Sequence, residues 1–133
     1  MTISVRNRKF DLLLDAIYRE SPEKVREIVG RDRSILEERN SIGENVLTYC
    51  ALEKGYDEVE LLSSLGSSIP EQAVSEAIQA GNSDMLLCLL ELGGSISPHS
   101  AMQSLSISEK SYKVQERVLH IMKSHLEAYG VHM

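Results

Sequence analysis

Residues 43–66 read GENVLTYCALEKGYDEVELLSSLG and residues 70–93 read PEQAVSEAIQAGNSDMLLCLLELG, and the two strings superpose without gaps at an offset of 27 (70 − 43). Leu47 falls on Val74, Cys50 on Ala77, Ala51 on Ile78, Asp57 on Asp84, Val59 on Leu86, Leu62 on Leu89, Leu65 on Leu92 and Gly66 on Gly93. Self-similarity at a fixed period marks a repeat architecture, in which each unit buries its apolar face against a neighbour. Each string divides into two short helical patterns. The first has small residues at its centre, where another helix can approach closely, and the second carries apolar residues at spacings of three and four. Gly66 and Gly93 fall just past the second pattern, where glycine adopts the left-handed conformation that closes a helix.

The pattern extends both ways. At an offset of 34 (47 − 13), Leu13 falls on Leu47, Ala16 on Cys50, Ile17 on Ala51, Glu23 on Asp57, Val25 on Val59 and Ile28 on Leu62. Downstream, Ala101, Ser104 and Leu105 continue the shorter step. A final helix from about Glu109 to Tyr129 is expected to close the stack through a stripe of Val114, Val118, Ile121, Met122, His125 and Tyr129, with Lys110, Lys113, Glu116, Arg117 and Lys123 as its polar outer side. Ser21-Pro22, Ile69-Pro70 and Ser97-Pro98 each place proline at a helix's first turn, where no amide donor is lost. The expectation is one all-α domain over 1–133, with units at about 6–40, 41–69, 70–96 and 97–129.

Composition bounds the function. With 42% apolar and 26% charged residues the chain can build a core, and with no Trp, one Phe and five Tyr that core is aliphatic. A net charge of −6 argues against nucleic acid, whose phosphates call for basic surfaces. No apolar run is long enough for a membrane span, and the start MTISVRNRKFD lacks a signal peptide's apolar core, so a cytoplasmic location is expected. Cys50 and Cys88 each lie within an apolar run and are read as reduced core residues.

The string 43–66 resembles the ankyrin repeat, whose pattern has a glycine turn, paired small residues, an acidic start to the second helix, paired leucines and a closing glycine. Gly43, Leu47, Cys50, Ala51, Val59, Leu61, Leu62 and Gly66 sit at the matching positions. Asn45-Val46-Leu47-Thr48 stands where T-P-L-H is usual, and the step of 27 is shorter than the family's typical length of about 33. The resemblance therefore implies a solenoid of about four stacked helix-turn-helix units with shortened or absent β-hairpins, and room for one hairpin near Glu38 to Glu44. It also implies a protein–protein interaction module that binds through a concave face. Carried over position by position, its contact residues are Tyr18, Arg19, Ser41, Ile42, Glu44, Leu52, Glu53, Glu71, Gln79, Ala80 and Ser106. Glu44 and Glu53 are expected there as exposed charges whose reversal spares the fold. A narrower alternative is a small acidic immunity protein or inhibitor that neutralises a basic toxin or enzyme, the chain being a monomer outside its complex.

Signatures of chemistry are sparse. Neither GxGxxG nor a GxxxxGK loop occurs, so no phosphate cradle is expected. There is no CxxC, and His120 and His125 point about 140° apart on a helix, so no metal site or cofactor is expected. No GxSxG elbow accompanies the serines and histidines, and an undetected hydrolase is the remote alternative to a non-catalytic chain. Glu37-Glu38 and Asp57-Glu58-Glu60 are read as solvated or helix-end charges, and Arg6, Arg8 and Lys9 as a polar lead-in.

Overall fold

The computed structural model describes residues 7–133 and is all-α: eight helices and one short 3₁₀ segment, with no strand among the described residues. Its packing divides the chain into two compact units, Met1–Ser68 and Ile69–Met133. Arg6 of the basic lead-in lies outside the described residues.

In the first unit, α1 (Arg8–Arg19) and α2 (Pro22–Arg31) pack together and onto the 3₁₀ segment Arg33–Glu37, and α3 (Val46–Leu52) pairs with α4 (Tyr56–Ser64). Capping side chains fix the starts. Asn7 Oδ1 accepts from the amides of Lys9 and Phe10, Ser21 caps α2 with Pro22 at its first position, and Asn45 Oδ1 accepts from the Thr48 amide at 2.9 Å. Phe10, Leu13, Val25, Val29, Ile35, Leu47, Cys50, Val59 and Leu62 are all buried, and Phe10 meets Tyr49 edge to face at 6.2 Å. The 3₁₀ segment is clamped to the end of α4, because Arg33 Nη2 donates to the Leu65 carbonyl at 3.2 Å and the Ser68 amide donates to Glu37 Oε2 at 2.9 Å.

The expected hairpin near Glu38–Glu44 is a bare turn. Gly43, at φ +82°, donates its amide to the Asn40 carbonyl at 3.0 Å, and the Asn40 amide donates to the Glu44 carbonyl at 2.9 Å. Asn40 Oδ1 accepts from the amides of Ile42 and Glu44 at 3.1 and 2.9 Å. One side chain thus takes the place of a partner strand, which is why the loop is ordered without a ladder.

In the second unit, α5 (Glu71–Gln79) packs on α6 (Ser83–Glu91) and on α7 (Pro98–Lys110), while α8 (Glu116–Ala128) packs on α6 and α7. First helix meets first helix and second meets second. The α5–α7 seam is polar and directional: Ser104 Oγ donates to the Ser100 carbonyl at 2.8 Å, so Ser75 Oγ must donate to Ser104 Oγ at 2.7 Å, and Gln79 Nε2 donates to Ser75 Oγ at 3.1 Å. Around it Val74, Ile78, Met85, Leu86, Leu89 and Ala101 form a dense aliphatic core.

The expected closing helix is corrected in its start and its face. Helix α7 continues through Lys110, the chain breaks over residues 111–115 with Lys113 at φ +55°, and α8 begins only at Glu116. Its buried stripe is Leu119, Met122 and Leu126, whereas Ile121 and Tyr129 are exposed and Val118 and His125 half-buried. Val114 anchors the break. It lies outside both helices with its methyls packed on Gly81, where an added Cβ would sit 2.8 Å from Cγ2, and its amide donates to the Ser108 carbonyl at 3.1 Å. Pro70 likewise precedes its helix as the cap rather than opening the first turn. Gly66 and Gly93 stand at φ +104° and +99°, the left-handed closures expected after the second helices.

Candidate functional site

The expected contact residues fall on helix ends and one turn. In the first unit Tyr18 and Arg19 end α1, Ser41 and Ile42 lie on the Asn40–Gly43 turn, and Leu52 and Glu53 end α3. Tyr18 is 48% exposed, Ile42 70% and Leu52 44%, large apolar surfaces that folding leaves in water. Arg19 is exposed and ion-paired with Asp15 at 3.2 Å. Tyr18 and Arg19 line a shallow hollow of about 630 Å³ along α1, beside the exposed Leu12.

Tyr18 and α3 are joined through sulfur. The Tyr18 hydroxyl is hydrogen-bonded to Cys50 Sγ, and the carboxylates of Glu58 and Glu53 act on both groups. Cys50 is wholly buried, so the half-exposed tyrosine directs its hydroxyl to a group of the core. Burial pushes the Cys50 thiol up to about 12, with the two carboxylates adding to the rise against the opposing hydrogen bond from Tyr18. Burial, then Cys50 and the same carboxylates, raise the Tyr18 hydroxyl as well. A thiol held neutral at physiological pH is a packing group and a poor nucleophile. Cys88 is half-buried rather than core, and both cysteines are thiols.

Glu44 is the correction. It is 2% exposed, not a surface charge: Oε1 accepts from Asn40 Nδ2 at 2.9 Å, and Oε2 is buried with no hydrogen-bond partner. The same asparagine that orders the turn draws the carboxylate beneath it. In the second unit Glu71 is exposed, with Oε2 accepting from the Ser97 amide at 3.2 Å, and Ala80 is exposed just past α5. Gln79 is half-buried in the α5–α7 seam, and Ser106 is half-buried on α7.

Several other charged groups singled out in the sequence have structural work. Lys9 pairs with Asp32 at 3.2 Å, Glu38 accepts from Asn7 Nδ2 at 3.1 Å, and Asp57 and Glu58 lie in the first turn of α4. Among the described residues no group of three or more His, Cys, Asp or Glu side chains converges to hold a metal, and no helix is long and apolar enough to cross a membrane.

One surface was missed in the sequence. Ser106 lines a cavity of about 390 Å³ between α7 and α8 together with Met102, Leu105, Leu119, Lys123 and Met133. Its only sequence trace is Met102, three residues before Leu105 and 56% exposed on an otherwise buried stripe. No family model, curated protein or solved structure matches this chain.

Proposed function

We propose that this chain is a non-catalytic protein-binding domain built of ankyrin-like helix pairs, and that its first unit takes a partner protein on the surface bearing Tyr18, Ile42 and Leu52. The observation that carries the reading is the exposure of those three side chains, with Leu12, on a unit whose core buries Phe10, Leu13, Val25, Val29, Leu47 and Leu62. Tyrosine is enriched among the residues that dominate interface energetics, and aliphatic side chains fill the apolar core around such anchors. Charge complements them. Glu53 and Glu58 flank Tyr18, and a net charge of −6 speeds encounter with a basic partner. In its narrower form the reading makes the protein an inhibitor that neutralises a basic toxin or enzyme, supported by that same charge.

Site-directed photo-crosslinking tests the proposal. A crosslinking amino acid at Ile42 or Leu52 should trap one protein in extract of the native cells, and the same group at exposed Arg26 should not. Equal trapping from all three positions, or none from any, refutes it.

A further inference from the structure

We infer that the trough between α7 and α8 is a second docking site, one that receives a cationic amphipathic helix of a partner protein. The inference rests on the protein-binding reading and adds a surface and a ligand chemistry to it. A second cavity of about 440 Å³ shares Glu109, Leu119 and Lys123 with the first, so the two run together as one trough. Both helices that wall it are 13 residues long, about 20 Å, the length of three to four turns of a docked helix.

The floor is apolar. Leu105 and Leu119 lie at its base with 7% exposure each, while Met102 and Met133 stand open above them. Methionine thioethers repack around differently shaped partners, which suits them to the walls of a helix-binding groove. Of the five residues expected on the closing helix's polar outer side, Glu116 and Lys123 line this trough, and Val114 of the expected apolar stripe lines it with them.

The rim selects the occupant. Glu109, Glu116 and Glu127 line the trough against a single lysine, Lys123, and none of the four forms an ion pair with another described residue. Three carboxylates against one ammonium leave the rim at about −2. A helix with an apolar stripe flanked by Lys or Arg meets both requirements, leucines to the floor and cations to the rim. A second copy of this chain would set six carboxylates against two lysines across the interface, so like charges oppose self-association there.

The chain has no Trp, so a single Trp in a synthetic peptide reports binding against a dark background. Three helical peptides of about 14 residues are the probes: leucine stripe with lysines, leucine stripe with glutamates, and the lysine peptide with its stripe scrambled. The lysine-stripe peptide should bind at least about tenfold tighter than either control, with its Trp emission moved to the blue. Glu109→Lys with Glu127→Lys should weaken it by about tenfold, and Glu20→Lys with Glu60→Lys, the same change in net charge at residues that do not line the trough, by less than about twofold. Both trough substitutions lie near helix C-termini, where lysine suits the dipole, so the fold is kept. Equal losses in the two double variants, equal binding of the glutamate peptide, or no binding overturn the trough. So does a wild-type dimer in sedimentation that the trough variant abolishes, which would make a second copy the occupant. Any of these results with crosslinking from Ile42 and Leu52 intact leaves the protein-binding reading standing, and loss of that crosslinking is what fells it.

Discussion

Glu44→Lys should destabilise the protein severely, whereas Glu53→Lys should be silent. Glu44 is 2% exposed; its Oε1 is held by Asn40 Nδ2 at 2.9 Å, and its backbone amide and carbonyl are both bound within the turn. Glu44→Lys puts an ammonium into that space, leaves Asn40 Nδ2 without its acceptor and gives the new cation no anion, a combination that costs about 3–5 kcal/mol. Against a total domain stability of about 5–15 kcal/mol, that removes much of what holds the fold. Glu44→Gln keeps an oxygen for Asn40 and removes the formal charge from the buried site, so it should lie within about 1 kcal/mol of wild type. Glu53→Lys, exposed just past α3 where a cation favours the helix dipole, should stay within about 0.5 kcal/mol. Urea titration followed by circular dichroism measures all three, with a constant slope showing that midpoint shifts are changes in stability. A Glu44→Lys protein within about 0.5 kcal/mol of wild type would refute the buried position of this carboxylate and return it to the surface.

Two further substitutions probe the packing. Gly81→Ala forces a positive-φ position at +69° and drives a Cβ to 2.8 Å from Val114 Cγ2, so it should lose about 2–4 kcal/mol, and Val114→Ala in the same chain should return part of that loss in a double-mutant cycle. Cys50 should resist thiol reagents at pH 8 until the protein is unfolded. Its pKa is higher folded, at about 12, than its ordinary 9.0, so the unfolded chain releases the proton first and stability should fall as pH rises from about 9 towards 12. Tyr18, raised for the same reasons, adds to that fall, and Cys50→Ala should flatten it in melting curves across this range.

Local features were legible where one segment decides them. The gapless repeat located α3 with α4 and α5 with α6, because capping, small-residue centres and leucine spacing all act within a few residues of one another. Serine–proline starts and closing glycines stood where expected for the same reason. Long-range terms decided the rest. Glu44 is buried because Asn40 folds back over the turn, which the residue types alone do not announce. The register of α8 depends on Val114 reaching Gly81, a contact 33 positions away in sequence (114 − 81), and once the helix starts after it, Leu119 and Leu126 replace Ile121 and Tyr129 on the buried face. The α7–α8 trough is lined from both helices and by Met133, so beyond Met102 no pattern within either helix reveals it.

A chain that works by holding another protein travels with it, and its mass in the native cell shows whether it does. Light scattering behind size-exclusion chromatography, applied to tagged protein drawn gently from its own cells, should find it in a stoichiometric complex well above the 14.9 kDa of the chain alone, a complex that loosens as salt rises. Recovery of the chain at 14.9 kDa, alone at every ionic strength and every expression condition in which its partner is made, would contradict the account.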